Sequence, residues 1–156
     1  MIQRIQSVYL ILAAISALLL FFFPVAWFYG NMHTIEFYVY QVKDHIPDST
    51  PFVESAFTLP LILLTAIIGA LALLAIWMYK DLRRQLQFVR MGMFFTLAQI
   101  AALFFFYSDY IAKRVGAEAD YEFGIFLPVI ALLFFFLATR GIQKDIKLIR
   151  SADRLR

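Results

Sequence analysis

Arg140-Gly-Ile-Gln-Lys-Asp-Ile-Lys-Leu-Ile-Arg-Ser-Ala-Asp-Arg-Leu-Arg156 follows directly on an apolar run that reaches Thr139. Ile142, Ile146 and Ile149 recur at helical spacing, and Arg140, Lys144, Lys147, Arg150 and Arg154 crowd the remaining positions. A helix over these residues has one apolar side and one cationic side. Such a helix is expected to lie on an anionic membrane surface. Because Lys and Arg are retained on the cytoplasmic side of membranes, the same residues orient everything before them.

Working outward, the composition agrees. Of 156 residues, 63% are hydrophobic and 18 are Phe, and the mean hydropathy is +0.78. These values lie outside the soluble globular range and predict a single polytopic membrane domain. The formal charge of +3 and pI near 9.3 come from charge segregated along the chain. No nucleic-acid recognition module accompanies it, so the basicity reads as topology and no nucleic-acid partner is expected. With no Cys in the sequence, disulfides and thiolate chemistry are excluded and any outer loop must be held by packing.

Four apolar runs are long enough to cross about 30 Å of hydrocarbon, at about residues 8–27, 57–79, 88–107 and 123–140. The first lacks a small-x-small cleavage site behind it and reads as an uncleaved helix that Pro24 loosens or ends. Pro60 and Pro128 fall in the first turns of the second and fourth runs, where proline is tolerated. Between the runs lie outer loops at 28–56 and 108–122, a connector at 80–87 and the tail at 141–156. Ala13/Ala17, Ala66/Ala70 and Ala98/Ala102 are candidate seams for close helix packing.

In the first outer loop, Thr34-Ile-Glu-Phe-Tyr-Val-Tyr-Gln-Val42 is rich in β-branched and aromatic residues and predicts one strand. Ile35, Phe37 and Val39 share one face of it, and Glu36, Tyr38 and Tyr40 the other. Gly30-Asn31 is a turn signal between this strand and Val25–Tyr29, giving a short hairpin that needs support, since two strands alone are marginal in water. Thr50-Pro51 is a candidate N-cap and first-turn proline.

Charge placement tests the layout. All of the 14 basic residues except Lys43, Lys113 and Arg114 fall on the side of the N-terminus, the connector and the tail, and all of the 11 acidic residues except Asp81, Asp145 and Asp153 fall on the other. Four spans with both termini cytoplasmic satisfy the positive-inside rule.

The chemistry available inside the spans is sparse. Residues 8–23, 57–79, 91–107 and 123–139 contain no Asp, Glu, Lys, Arg or His. Ion coupling, proton relay and intramembrane proteolysis need ionisable or nucleophile–base groups at depth. Gln99 is expected to hydrogen-bond across helices, a contribution of about 0.6–2 kcal/mol. His33 and His45, the two histidines, have no recognised metal spacing and read as part of a solvated loop. Asp109, Glu118, Asp120 and Glu122 read as a solvated acidic face.

The opening Met1-Ile-Gln-Arg-Ile-Gln-Ser-Val-Tyr-Leu10 and the closing Lys144-Asp-Ile-Lys-Leu-Ile-Arg-Ser-Ala-Asp-Arg-Leu-Arg156, together with four spans, resemble the domain-of-unknown-function family 4293 of Bacteroidota integral membrane proteins. The resemblance implies an inner-membrane protein and brings no activity and no catalytic residues.

The expected architecture is therefore an all-α, four-transmembrane-helix bundle with a short extracytoplasmic β-hairpin and a basic amphipathic C-terminal helix. The expected function is that of a non-enzymatic accessory or scaffold subunit of an envelope complex, with no cofactor and no metal. Arg140, Lys144, Lys147, Arg150, Asp153, Arg154 and Arg156 would contact membrane lipids or another membrane or envelope protein. Ser151 to Arg156 carries charges of both signs beyond the last well-placed isoleucine, which adsorption alone does not require. The alternative is a binder of lipid or a hydrophobic small molecule between the helices. An enzyme or transporter would need His33, His45, Glu118, Asp120 and Glu122 to converge.

Overall fold

A computed structural model describes residues 5–30, 33–45 and 55–153. Helix α1 spans Ile5–Leu19, and strands β1 (Ala26–Tyr29), β2 (Thr34–Phe37) and β3 (Val42–Asp44) follow. A 3-10 turn at Ser55–Thr58 leads into α2 (Leu59–Trp77). Helix α3 (Leu82–Ala101) passes through a π-helical segment, Ala102–Ser108, into α4 (Asp109–Val115). Strand β4 (Ala119–Tyr121), a 3-10 turn (Phe123–Ile125) and α5 (Phe126–Asp153) complete the described chain. The molecule is mostly helical, with one small antiparallel sheet.

Four helical arms pack in a ring in which α1 touches α2 and α5, and α3 touches α2 and α5. Three of them, Ala56–Trp77, Leu82–Val115 and Phe123–Ser151, are long and apolar enough to cross a membrane, which makes this a membrane protein in build. The first apolar run departs from expectation: α1 has 15 residues, and hydrogen-bonded turns carry the chain from Leu20 to Phe23 before Pro24. The third run departs the other way. The single helix Leu82–Val115 takes in most of the predicted connector and the first half of the predicted outer loop. Asp81 caps its start, its carboxylate accepting from the backbone N–H groups of Arg83 at 3.1 Å and Arg84 at 3.2 Å.

The π-helical segment has a packing reason. The buried positions Gln85, Val89, Gly92, Thr96, Gln99 and Leu103 alternate in steps of three and four, and then Tyr107 and Ile111 follow in steps of four. Repeated steps of four would carry an α-helical stripe steadily off its face. The wider π turn brings Tyr107 and Ile111 back beneath the sheet.

The sheet has the order β3-β2-β1-β4, all antiparallel. The predicted hairpin is thus corrected to four strands. Thr34 to Val42 is two strands, because Tyr38 N–H donates to Gln41 O at 2.8 Å and closes a turn. Thr58 Oγ1 pins that turn to the head of α2 by donating to Tyr40 O at 3.0 Å. β4 comes from the second loop and pairs Ala26 with Tyr121 and Phe28 with Ala119. Ile35, Phe37 and Val39 are fully buried together as their alternation predicted, with Phe28 beside them. They sit over Leu20, Leu61, Leu103, Tyr107 and Ile125 to form the core of the sheet end.

A second core at the opposite end holds Leu10, Ala13, Ala17, Ile68, Ala72, Ala75, Val89, Phe135, Ala138 and Ile142. Only the first of the three alanine pairs is a seam. Ala13 and Ala17 are buried, whereas Ala66, Ala70 and Ala98 are exposed. Gln99 Nε2 donates to Thr65 Oγ1 at 2.6 Å, joining α2 to α3 as expected of a polar residue in an apolar bundle. Pro60 lies in the first turn of α2, and Thr50-Pro51 lies outside the described residues.

Candidate functional site

Of the two ends of the bundle, the one remote from the sheet gathers the basic residues. α5 does not stop where its apolar run stops. It continues unbroken through the predicted tail to Asp153, which corrects the expectation of a separate surface helix. No proline or turn sequence interrupts Thr139 to Asp153, and a helix backbone satisfies its own hydrogen bonds on either side of a polarity boundary. At 1.5 Å per residue α5 is about 42 Å long, well beyond the roughly 30 Å of a hydrocarbon core.

The side chains on this extension divide into three faces. Ile142 is fully buried and Ile146 partly buried, both against the helix core. Arg140, Lys144 and Lys147 are exposed on the opposite stripe, as 3.6 residues per turn requires. The Arg140 guanidinium lies over the Phe136 ring at 5.5 Å, its stem following the helix surface. Arg150 turns to a third face, where Lys80 and Asp81 from the α2–α3 turn and Leu82 and Arg83 from the start of α3 meet Ile146, Ile149 and Arg150 across an open groove of about 490 Å³. Of the remaining predicted contact residues, Asp153 is the last residue of α5, and Arg154 and Arg156 lie outside the described residues.

Beneath this surface the core is polar in a way the sequence reading missed. Gln6 is 4% exposed, and its Nε2 donates to Asp145 Oδ2. Gly141 makes room for it, since a Cβ there would come within 2.7 Å of Gln6 Cγ. Gln85 is fully buried, and neither atom of its amide has a hydrogen-bond partner among the described residues. A signal for Gln85 was present, because it stands four and seven residues before Val89 and Gly92 on the buried stripe of α3. For Gln6 there was none in periodicity, because its partner lies at the other end of the chain.

At the sheet end, the two histidines lie in the loops beside the strands with their side chains 35% and 37% exposed, as a loop reading expects, and each has a carboxylate partner that the sequence did not mark. His33 Nδ1 is 2.6 Å from Asp44 Oδ2, and His45 Nε2 is 2.9 Å from Glu36 Oε2. Trp27 stacks on His45 at 5.1 Å between ring centroids. Tyr38 donates its hydroxyl to Glu36 Oε1 at 2.8 Å. That hydrogen bond, reinforced by partial desolvation and by the Glu36 and Tyr40 charges, pushes the Tyr38 phenol up to about 12. Glu36 is therefore held from two sides, which explains how a carboxylate on the outward face of β2 is only 9% exposed. Asp109 pairs with Lys113 at 2.6 Å, and Glu118, Asp120 and Glu122 are exposed. Among the described residues, no three His, Cys, Asp or Glu side chains are grouped as a metal site would need.

A family model described as Domain of unknown function (DUF4293) matches residues 2–155. No curated protein and no solved structure matches the chain.

Proposed function

We propose that this chain, which belongs to the DUF4293 family, is a non-enzymatic scaffold or accessory subunit of a bacterial inner membrane that docks a partner protein on its basic end. In this reading all four arms span, both termini are cytoplasmic and the sheet is extracytoplasmic. The turns from Leu20 to Phe23 lengthen α1 toward a full crossing. The segregation of basic from acidic residues supports the orientation.

The observation that carries the proposal is the unbroken extension of α5. A cationic patch that served only to adsorb to lipid needs no fixed geometry. Here Arg140, Lys144 and Lys147 are held at helical spacing on a rod buttressed by buried Ile142. A preformed stripe of this kind favours an acidic face on another membrane or envelope protein, by electrostatic complementarity.

The experiment is photo-crosslinking from Lys144 and Lys147, each replaced by a photoreactive residue in the full chain in native membranes. The proposal expects a discrete protein adduct that disappears when Arg140→Glu accompanies charge reversal of whichever neighbouring lysine remains. Adducts to lipid alone would contradict it.

A further inference from the structure

We propose that the groove between the α2–α3 turn and the end of α5 is a binding site for the phosphate headgroup of an anionic phospholipid. The inference rests on the membrane placement above, and it concerns a different surface from the docking stripe.

Three cations converge on the groove from three elements: Lys80 from the turn, Arg83 from α3 and Arg150 from α5. Among the described residues none of them is paired with a carboxylate. The one acid on the rim, Asp81, is already committed. Its carboxylate caps the Arg83 and Arg84 backbone N–H groups and pairs with Arg84 Nε at 3.1 Å. The groove thus holds three cations against one carboxylate that is turned to Arg84, a net positive charge and the electrostatic complement of a phosphodiester.

The level of the groove and its floor select lipid as the source of that phosphate. α2 ends at Trp77, which is 78% exposed, and Tyr79 follows at 47%. Large exposed aromatics at a helix end mark the headgroup region. The Lys80 ammonium sits 5.9 Å from the Tyr79 ring centroid, which keeps it at that level. Ile146 and Ile149 line the groove between the cations, and Ile149 is half exposed. A free phosphate has nothing to place on isoleucine; the glycerol and first methylenes of a phospholipid do. Basic pockets between transmembrane helices on the cytoplasmic side are a general means of holding anionic headgroups.

Trp77 ends α2 three residues before Lys80, and Trp27 is the only other tryptophan, so Trp27→Phe leaves a single reporter at that level. The full chain carrying that change is reconstituted in phosphatidylcholine vesicles containing brominated phosphatidylglycerol or brominated phosphatidylcholine, and quenching of Trp77 is titrated. The expected result is a preference of about tenfold or more for the anionic lipid. It should fall to parity in Lys80→Gln/Arg83→Gln/Arg150→Gln and survive in Arg140→Gln/Lys144→Gln/Lys147→Gln. Equal quenching by both lipids in the parent overturns the site, as does an equal loss of preference in the two triple variants. Abolition of the preference by excess inorganic phosphate would identify free phosphate as the ligand and overturn the lipid assignment. Absence of quenching by either lipid would instead overturn the membrane placement itself, an outcome the phosphatidylcholine arm keeps separate.

Discussion

Gly124 donates its backbone N–H to the carbonyl of Pro24 at 3.0 Å, and a Cβ built on Gly124 would stand 2.3 Å from that same oxygen. The contact joins the end of the first apolar run to the start of the last. It also closes the sheet, because Glu122 N–H donates to Val25 O at 3.0 Å just beside it. No side chain fits between the two backbones.

Gly124→Ala is therefore expected to destabilise the fold by about 1–3 kcal/mol, the range for overpacking a closed site. Gly69→Ala is the control, because its Cβ would meet Ala17 Cβ at 4.0 Å, an ordinary contact. Unfolding in detergent, followed by circular dichroism, should show a large loss for the first and little change for the second.

The Gln99–Thr65 hydrogen bond is expected to behave as a membrane hydrogen bond. A double-mutant cycle with Gln99→Leu and Thr65→Val should return a coupling of about 0.6 kcal/mol, with about 2 kcal/mol as its upper bound. The Thr65 hydroxyl also donates to Leu61 O at 2.8 Å, so Thr65→Val alone should cost more than the coupling itself.

Gln85 offers a prediction of opposite sign. Its amide is buried without a partner among the described residues, and an unpaired buried polar group costs about 1–3 kcal/mol. Gln85→Leu should raise the unfolding free energy by about that amount, measured in the same detergent assay. A loss of stability would show that the amide is satisfied in the membrane-embedded protein.

Tyr38 should ionise near 12 rather than at the ordinary 10.0. The raised value means that the neutral phenol is the form the fold prefers. Its contribution to stability is complete below pH 10 and is lost as pH climbs toward 12. Glu36→Leu removes both the acceptor and the charge that hold the phenol up and should return Tyr38 toward its ordinary value. Carbon-13 tyrosine spectra, assigned with Tyr38→Phe, read the shift directly.

How much of this was legible in the sequence depended on the range of the interaction concerned. Alternation marked Ile35, Phe37 and Val39 as one buried face because side-chain direction along an extended chain is a local property. Pro60 marked the first turn of α2 for the same kind of reason. Ala119-Asp-Tyr121 gave no strand signal of its own. Three residues carry little propensity, and they are a strand because β1 offers them an edge from almost a hundred residues away. The departures at 82–87 and 109–115, and the joining of the predicted C-terminal helix to the last span, share one cause. Hydropathy marks where a chain meets lipid, whereas helix ends are set by caps and breakers. Asp81 was such a cap, and nothing between Arg140 and Asp153 was a breaker.

At the candidate site, the cationic stripe of Arg140, Lys144 and Lys147 could be read from spacing alone. That Arg150 leaves that stripe to face Lys80 and Arg83 could not, because it depends on how α5 packs on the α2–α3 turn. The Gln6–Asp145 contact was hidden likewise, since it spans most of the chain length.

The central claim is a four-span molecule with its sheet outside and its basic end in the cytoplasm. Because the sequence contains no Cys, single cysteines report without background, and the most direct measurement is labelling of Ile5→Cys, Glu118→Cys and Lys147→Cys by an impermeant maleimide. In right-side-out spheroplasts, Glu118→Cys should label at once, and Ile5→Cys and Lys147→Cys only after the inner membrane is permeabilised. Labelling of Ile5→Cys together with Glu118→Cys would mean that α1 does not cross, and labelling of Lys147→Cys in intact spheroplasts would reverse the orientation; either contradicts the account.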